Sequence, residues 1–239
     1  WPGAGVRRSR TADLRLAVQS LGRLRQGLQQ VIGVIAAEQN ARTLGHQLRH
    51  RRSTRIATHK VFASGHRVKA AAYQHLIVEF ELALQFGQDL PERADDWDRH
   101  SILPYLDCAY PSLEIADDRF ADYALLKKGF FSLVAENAWN HGVVLGSVIA
   151  AKDFDTLWQT QATAYINEQA IGQGRCSDVM GHPLIAMAWI ANHFAARGRQ
   201  FKQGDWVTTG SWVASQFPLP GQDLRFAMPG LGEVTLAVC

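Results

Sequence analysis

The chain has 239 residues, 47% of them hydrophobic, with a net charge of +3, enough to bury a real core in one large domain or a domain with a smaller appendage. Three widely spaced cysteines, Cys108, Cys176 and Cys239, without a CxxC pair, exclude a disulfide framework and a zinc knuckle and fit a reducing cytoplasm. No stretch approaches the roughly 18 to 20 apolar residues that span a bilayer, and no basic end precedes an apolar run and cleavage site, so a soluble cytoplasmic protein is expected.

The charge is unevenly spread. Residues 1 to 56 hold eleven arginines, no lysine and only Asp13 and Glu38 as acids, for +9, which leaves −6 for the remainder. Such an arm could hold phosphates, but no aromatic residues interleave with its arginines to stack on bases, so a solvated face is favoured and nucleic-acid binding is not expected. Within it, Leu14, Val18, Leu21, Leu24, Leu28 and Val31 recur at helical spacing, which predicts one or two helices between residues 12 and 37 despite Gly22, Gly27 and Gly33. Residues 40 to 58 are polar, basic and aperiodic, and read as a loop. The segment 1–56 is therefore expected to be an arginine-rich helical portion, diverged or poorly ordered, ahead of a larger unit at 57–239.

That unit begins with "YQHLIVEFELALQF", a strand by its Val, Ile, Phe and Leu content. "GQDLPERADDWD" is a turn-rich loop whose Asp95 to Asp98 can charge the start of a helix running to about Ala109. "PSLEIADDRF" is a short β-type stretch, and "AWNHGVVLGSVIAA" suits a buried strand. Residues 157 to 175 read as two strands turning at Asn167 and Glu168. "GHPLIAMAWIANHFAARG" is the clearest helix, with Pro183 first, an apolar stripe of Leu184, Met187, Ala188, Ala191 and Phe194, and Gly198 past its end. The tail reads as several strands separated by Gly and Pro turns. Together these elements predict a β-rich α+β fold.

Glu79 and Glu81 break the apolar run of the first strand, and residues two apart on a strand share a face. Two carboxylates on one apolar face repel, and burying them without a partner would cost several kcal/mol, so a cation must offset them unless the face is exposed. Glu114, between Leu113 and Ile115, is a third acid in an apolar setting. Three oxygen donors without Cys or His spacing favour a hard ion, Mg²⁺ or Mn²⁺, over zinc. The histidines, among them His75, His141, His182 and His193, form no HxxxH or HExxH arrangement, so core or surface roles are expected for them. No GxSxG elbow supports a triad from Ser211, His182 and Asp205.

The blocks "VEFELALQFGQDLP", "YPSLEIADDRF", "AENAWNHGVVLG", "GHPLIAMAWIANHFAARGRQFKQGDWVTTGS" and "PGLGEVTL" resemble, in this order, the 2-keto-4-pentenoate hydratase branch of the fumarylacetoacetate hydrolase superfamily, related 4-oxalocrotonate decarboxylases included. The resemblance covers about residues 57 to 239 and implies a mixed, strongly curved sheet or roll with flanking helices. It implies that 57–239 is a metal-binding catalytic domain in which Glu79, Glu81 and Glu114 bind Mg²⁺ or Mn²⁺, and that Ser211, in a "TGS" turn, could bond a substrate carboxylate. A turn serine satisfying local backbone is the alternative for Ser211.

The activity implied is addition of water to a 2-hydroxy-2,4-dienoate, giving a 4-hydroxy-2-keto acid in aromatic catabolism, by a homo-oligomer that could associate with a related decarboxylase. Family hydratases also carry an active-site lysine in a glycine-flanked segment upstream of the E-x-E strand. This chain has no lysine before Lys60, so no residue is assigned its role, and Glu136 stands where relatives have Asp, beside a matching Asn137. Two further readings stay open: a 4-oxalocrotonate-type decarboxylase, and a catalytically impaired assembly subunit of the same fold.

Overall fold

The computed structural model describes residues 31–35, 52–123 and 135–239. Among these, the strands are β1 (Val31–Ile35), β2 (Arg52–Ile56), β3 (Val61–Ala63), β4 (His66–Val68), β5 (Leu76–Phe86), β6 (Leu106–Asp117), β7 (Asn140–Leu145), β8 (Ile149–Ala150), β9 (Gln161–Ile166), β10 (Gln169–Arg175), β11 (Trp206–Thr208), β12 (Asp223–Met228) and β13 (Gly232–Val238). The α-helices are α1 (Arg99–Ile102), α2 (Phe154–Gln159) and α3 (Pro183–Ala195). The large sheet runs β2-β1-β11-β5-β6-β7-β3, with β8 also on β6, and the smaller runs β10-β9-β12-β13-β4. Parallel pairs β1/β11, β3/β7 and β13/β4 among antiparallel neighbours make both sheets mixed. The expected β-rich α+β class is what forms.

Alternation along β5 builds the core. Val78, Phe80, Leu82 and Leu84 point to one face and are fully buried, together with Leu113, Ile115 and Val144 of β6 and β7. They pack against α3 and the smaller sheet, where Phe80 meets Phe226 edge-on at 5.6 Å. Each such side chain contributes roughly 1.5 to 3 kcal/mol on leaving water, so this layer fixes how the two sheets sit. The α3 helix forms as expected: Pro183 starts it, the His182 side chain accepts from Leu184 N–H at 3.1 Å, and the buried stripe includes Leu184, Met187, Ala191 and Phe194. The hairpin β9-β10 turns at Asn167 and Glu168, both with positive φ, the geometry that matches strand twist.

Three elements differ from the sequence expectation. The helical spacing over 12 to 37 gives way at Val31–Ile35 to a strand, where β-branched Val and Ile favour extended backbone and β11 and β2 supply partners on both sides; the rest of that helical expectation lies outside the described residues. Residues 40 to 58 are not loop throughout, because Arg52–Ile56 pairs with β1. Both strands, N-terminal to the expected boundary at 56/57, lie in the large sheet. The helix expected to reach Ala109 is short: Asp98 caps α1 through a capping box with Ser101, but Pro104 follows in a single tight turn and Leu106 starts β6. Pairing of Cys108 and Ala109 with Gln85 and Leu84 overrides helical preference there.

The large sheet curls. Its edge strand β2 returns against β7, and the Asn137 side chain clasps the Arg55 backbone, accepting from its N–H at 2.9 Å and donating to its C=O at 2.7 Å. Ile56, Val143, Leu145, Trp206, Tyr110 and Ala83 form a second, smaller core on the enclosed face. That inner face carries the acids.

Where the two sheets meet, Gly146 leaves no room for a side chain: a Cβ would collide with the Glu233 carbonyl and lie 2.8 Å from Val234 Cβ. Gly146→Ala is expected to lower stability by about 1 to 3 kcal/mol through overpacking, read as a lower urea midpoint with an unchanged slope.

Candidate metal centre

The register of β5 against β6 places Glu79 directly opposite Glu114 and Glu81 opposite Ser112. Directly opposed residues share a face, so the three acids project together from two adjacent strands onto the inner side of the curl. Glu81 and Glu114 are 1% and 3% exposed. Their environment opposes ionisation. Burial raises the Glu81 pKa well above the usual carboxylate value, and the charges of Glu114 and Glu79 raise it further. Burial and then Glu79 push Glu114 up to about 8, against hydrogen bonds from Asn140 and Thr208.

Neutral donors supply part of the compensation. The chain leaving β11 continues alongside β5, with Thr209 and Trp212 N–H donating to Leu82 and Phe80 carbonyls at 3.0 and 2.7 Å. Gly210, at φ +107°, takes a conformation that suits glycine and aims its N–H at Glu81 Oε2, 3.0 Å away. Farther along the same segment the Ser215 hydroxyl donates to Glu79 Oε1 at 2.6 Å. From β7, Asn140 Nδ2 donates to Glu114 Oε1 at 2.8 Å. The hydroxyls of Ser112 and Thr208 are buried without a well-formed hydrogen bond, although Thr208 lies close enough to Glu81 and Glu114 to favour their charged forms.

Among the described residues, no three His, Cys, Asp or Glu side chains stand close enough to enclose an ion as they are. The donor set nevertheless fits a hard divalent cation: three carboxylates, all oxygen, in a buried setting with two orphaned hydroxyls beside them and no ion pair to Glu81 or Glu114 among the described residues.

Ser211 is otherwise employed. Its hydroxyl accepts from Phe80 N–H at 3.0 Å and donates to the Val213 carbonyl at 2.8 Å, which ties the loop to β5 as a turn serine would. Glu136 accepts from Trp139 Nε1 at 2.9 Å and lies 3.8 Å from Arg119, while Asn137 holds β2. The sequence offered no signal for Asn140 and Gly210, which contact the acids, and the core or surface role expected for His75 did not include its contact with Asp118.

The comparisons agree with this architecture. The 4-oxalocrotonate decarboxylase of Pseudomonas putida G7 complexed with magnesium and adipate superposes with a TM-score of 0.74 at 20% identity, over 95% of this chain and 83% of that one. A fumarylpyruvate hydrolase from Pseudomonas aeruginosa in complex with Mn²⁺ and pyruvate gives 0.66 at 15% identity, over 88% and 89%. In sequence, the 2-hydroxyhexa-2,4-dienoate hydratase of Comamonas testosteroni is 30% identical over 173 residues, 71% of this chain and 62% of that protein. The 4-oxalocrotonate decarboxylase of Pseudomonas putida is 28% identical over 134 residues, 56% and 50% respectively.

The chain is related to the 2-keto-4-pentenoate hydratases and 4-oxalocrotonate decarboxylases. Its mixed sheets share the fold of these solved structures. It spans about half to six-tenths of the length of the curated relatives it matches. No family model matches it. Among the described residues no helix is long and apolar enough to cross a membrane.

The raised carboxylate pKa values set a pH dependence for the metal-free protein. Glu81 and Glu114 are held protonated in the fold above the pH at which they ionise in the unfolded chain, so stability is full below about pH 4.5 and is lost as pH rises towards 8. Glu81→Gln removes one such charge and should stabilise the metal-free protein by on the order of 1 to 3 kcal/mol at pH 8 but little at pH 4.5. Thermal melts across that range in a chelator check it.

Proposed function

We propose that this chain is a divalent-metal-dependent lyase of the hydratase type, adding water to a 2-hydroxy-2,4-dienoate to give a 4-hydroxy-2-keto acid. The observation that carries the reading is the opposition of Glu79 and Glu114 across β5 and β6, with Glu81 next on the same face and two of the three acids buried. Named relatives include 2-keto-4-pentenoate hydratases, and solved neighbours of the same fold are complexed with magnesium or with Mn²⁺. In this reading Glu79, Glu81 and Glu114 hold Mg²⁺ or Mn²⁺.

Such an ion supplies Lewis acidity to the carboxylate and C2 oxygen of a 2-keto acid, where negative charge develops during tautomerisation. The protein's own part is to keep the carboxylates ready. Gly210 N–H and Ser215 Oγ orient Glu81 and Glu79 from one side, and Asn140 orients Glu114 from the other. The curl of the sheet and the apolar residues around Tyr110 and Trp206 reduce water around them. Ser211, with its hydroxyl engaged by backbone, serves here by fixing the Gly210 loop, and substrate contact by its hydroxyl would require that bond to open.

A decarboxylase acting on a 2-keto-3-enedioate is the second reading, favoured by the 0.74 TM-score to a 4-oxalocrotonate decarboxylase. Loss of CO₂ leaves the same charge on the C2 oxygen. We further infer a homo-oligomer working in the cytoplasm, and a related decarboxylase as a possible assembly partner; a chain that binds metal and assembles without turnover would mark the impaired-subunit alternative.

Purified protein is expected to consume 2-hydroxypenta-2,4-dienoate only with added Mg²⁺ or Mn²⁺, followed by loss of dienoate absorbance, without CO₂ release. Glu81→Gln and Glu114→Gln should each remove metal-dependent turnover and Mn²⁺ uptake in the calorimeter while the far-ultraviolet circular dichroism stays unchanged. Asn140→Ala, which loosens one ligand, is expected to weaken Mn²⁺ binding by roughly 10- to 100-fold. Full turnover in Glu81→Gln would refute the site.

A further inference from the structure

Beyond the acids, a histidine and a buried aspartate meet where the β5/β6 ladder ends. The register pairs Glu81 with Ser112, Glu79 with Glu114, then Ile77 with Ala116. One step past the end of the ladder His75 meets Asp118, with Nδ1 2.6 Å from Asp118 Oδ1. The Asp118 side chain has no solvent exposure, and its oxygens also accept from Tyr123 O–H at 2.6 Å and Phe120 N–H at 3.0 Å. A fully engaged buried carboxylate of this kind fixes the imidazole's orientation.

The ring itself is clamped. Phe120 and Phe217 stack on its two faces, each with a centroid separation of 4.6 Å and tilts of 15° and 12°. Such a sandwich suits a cationic imidazolium and removes rotational freedom. The His75 side chain nevertheless keeps 31% exposure, and Nε2 has no hydrogen-bond partner among the described residues. An oriented, accessible nitrogen backed by a buried acid is the arrangement of a proton-transfer group.

We propose that His75 is the general acid that protonates the far end of the substrate, with Asp118 and Tyr123 as positioning residues. This rests on the hydratase reading above. Three residues, Leu76 to Val78 at the start of β5, separate His75 from Glu79, so at strand rise their Cα atoms lie at most about 13 Å apart. The floor between them is Ile77 and Ala116, apolar and small, which suits the hydrocarbon middle of a dienoate. In this proposal the keto-acid end sits at the carboxylate centre and C5 faces Nε2.

The step balances without any outside reagent. The C2 hydroxyl releases its proton to water, electrons shift through the diene, a C5–H bond forms and the Nε2–H bond breaks. The product is the 2-keto-3-enoate that water then attacks at C4, and neutral His75 regains its proton from solvent. The groups facing the imidazole are Asp118, Asp117 through the His75 N–H, Tyr123, and Glu79 on the same face, with Arg119 and His141 next to Asp117. The segment that brings Phe217, residues 214 to 219, adds no titratable side chain.

The test uses the full chain with Mn²⁺ and 2-hydroxypenta-2,4-dienoate in D₂O. His75→Gln is expected to lower kcat by about 100-fold or more and to slow deuterium incorporation at C5 equally, as loss of a general acid does. Its calorimetric Mn²⁺ affinity should stay within twofold of the parent. The alkaline fall in kcat should vanish, and added imidazole should restore part of the rate in His75→Ala, which a merely structural histidine would not allow. Asp118→Asn should reduce kcat with little change in KM and shift that alkaline limb. A His75→Gln protein with parental kcat and C5 exchange overturns the assignment alone. A parent that takes up no Mn²⁺ and leaves the dienoate untouched overturns the hydratase reading, and the assignment with it.

Discussion

The whole arrangement depends on one pairing that a fold would ordinarily avoid: two carboxylates facing each other across hydrogen-bonded strands. Like charges at directly opposed sheet positions are destabilising, and Glu79 and Glu114 occupy such positions with Glu81 close by. Burial makes the conflict worse, as the upward shift of both Glu81 and Glu114 records. The neighbouring structure is organised around this conflict. The segment after β11 gives up its own side-chain hydrogen-bonding capacity at Ser211 to stay on β5, and so delivers the Gly210 N–H and the Ser215 hydroxyl to two of the acids.

Those donors are neutral, and neutral donors cannot cancel two or three negative charges. A buried acid pair of this kind is stable either with protons bound or with a cation supplied from outside. In the proposed metal centre, ion binding and protonation would compete at the same oxygens, so affinity for the ion would rise with pH as the carboxylates are freed. The two sides of the sheet divide the labour. The outer face, from Val78 to Leu84, is ordinary core and provides the stability that the inner face spends on holding charge.

Much of this could be read from the sequence, and the boundary is instructive. Glu79 and Glu81 were legible because strand parity is a local property, and so were the turn at Asn167 and Glu168, the Asp98 cap and the Pro183 helix start. The partner of Glu79 was not, since nothing local fixes the register of β5 on β6; only the assembled sheet sets Glu114 against it. The helix expected to reach Ala109 failed for the same reason, its last residues being claimed by Gln85 and Leu84 across the ladder. At Val31–Ile35 the helical periodicity competed with a β-branched run, and sheet partners on both sides decided it. His75 looked like one more scattered histidine because its meaning comes from Asp118, 43 positions away.

The relatives named as hydratases and those named as decarboxylases match this chain at similar identity, 28 to 30% in the examples above. Both chemistries place developing negative charge on the oxygen beside a carboxylate, so residues that serve that end cannot tell them apart. Discrimination has to come from where the substrates differ, at the distal carbons, which either accept a proton or carry a second carboxylate. On this face the distal position is set by the strand pair itself: beyond Ile77 and Ala116 the next side chains are His75 and Asp118. In the proposal above the imidazole there delivers a proton to carbon, and the aromatic clamp of Phe120 and Phe217 keeps the ring aimed. In the proposed reading, the choice between the two reactions would lie at the far end of the ladder, while the near end would supply chemistry common to both.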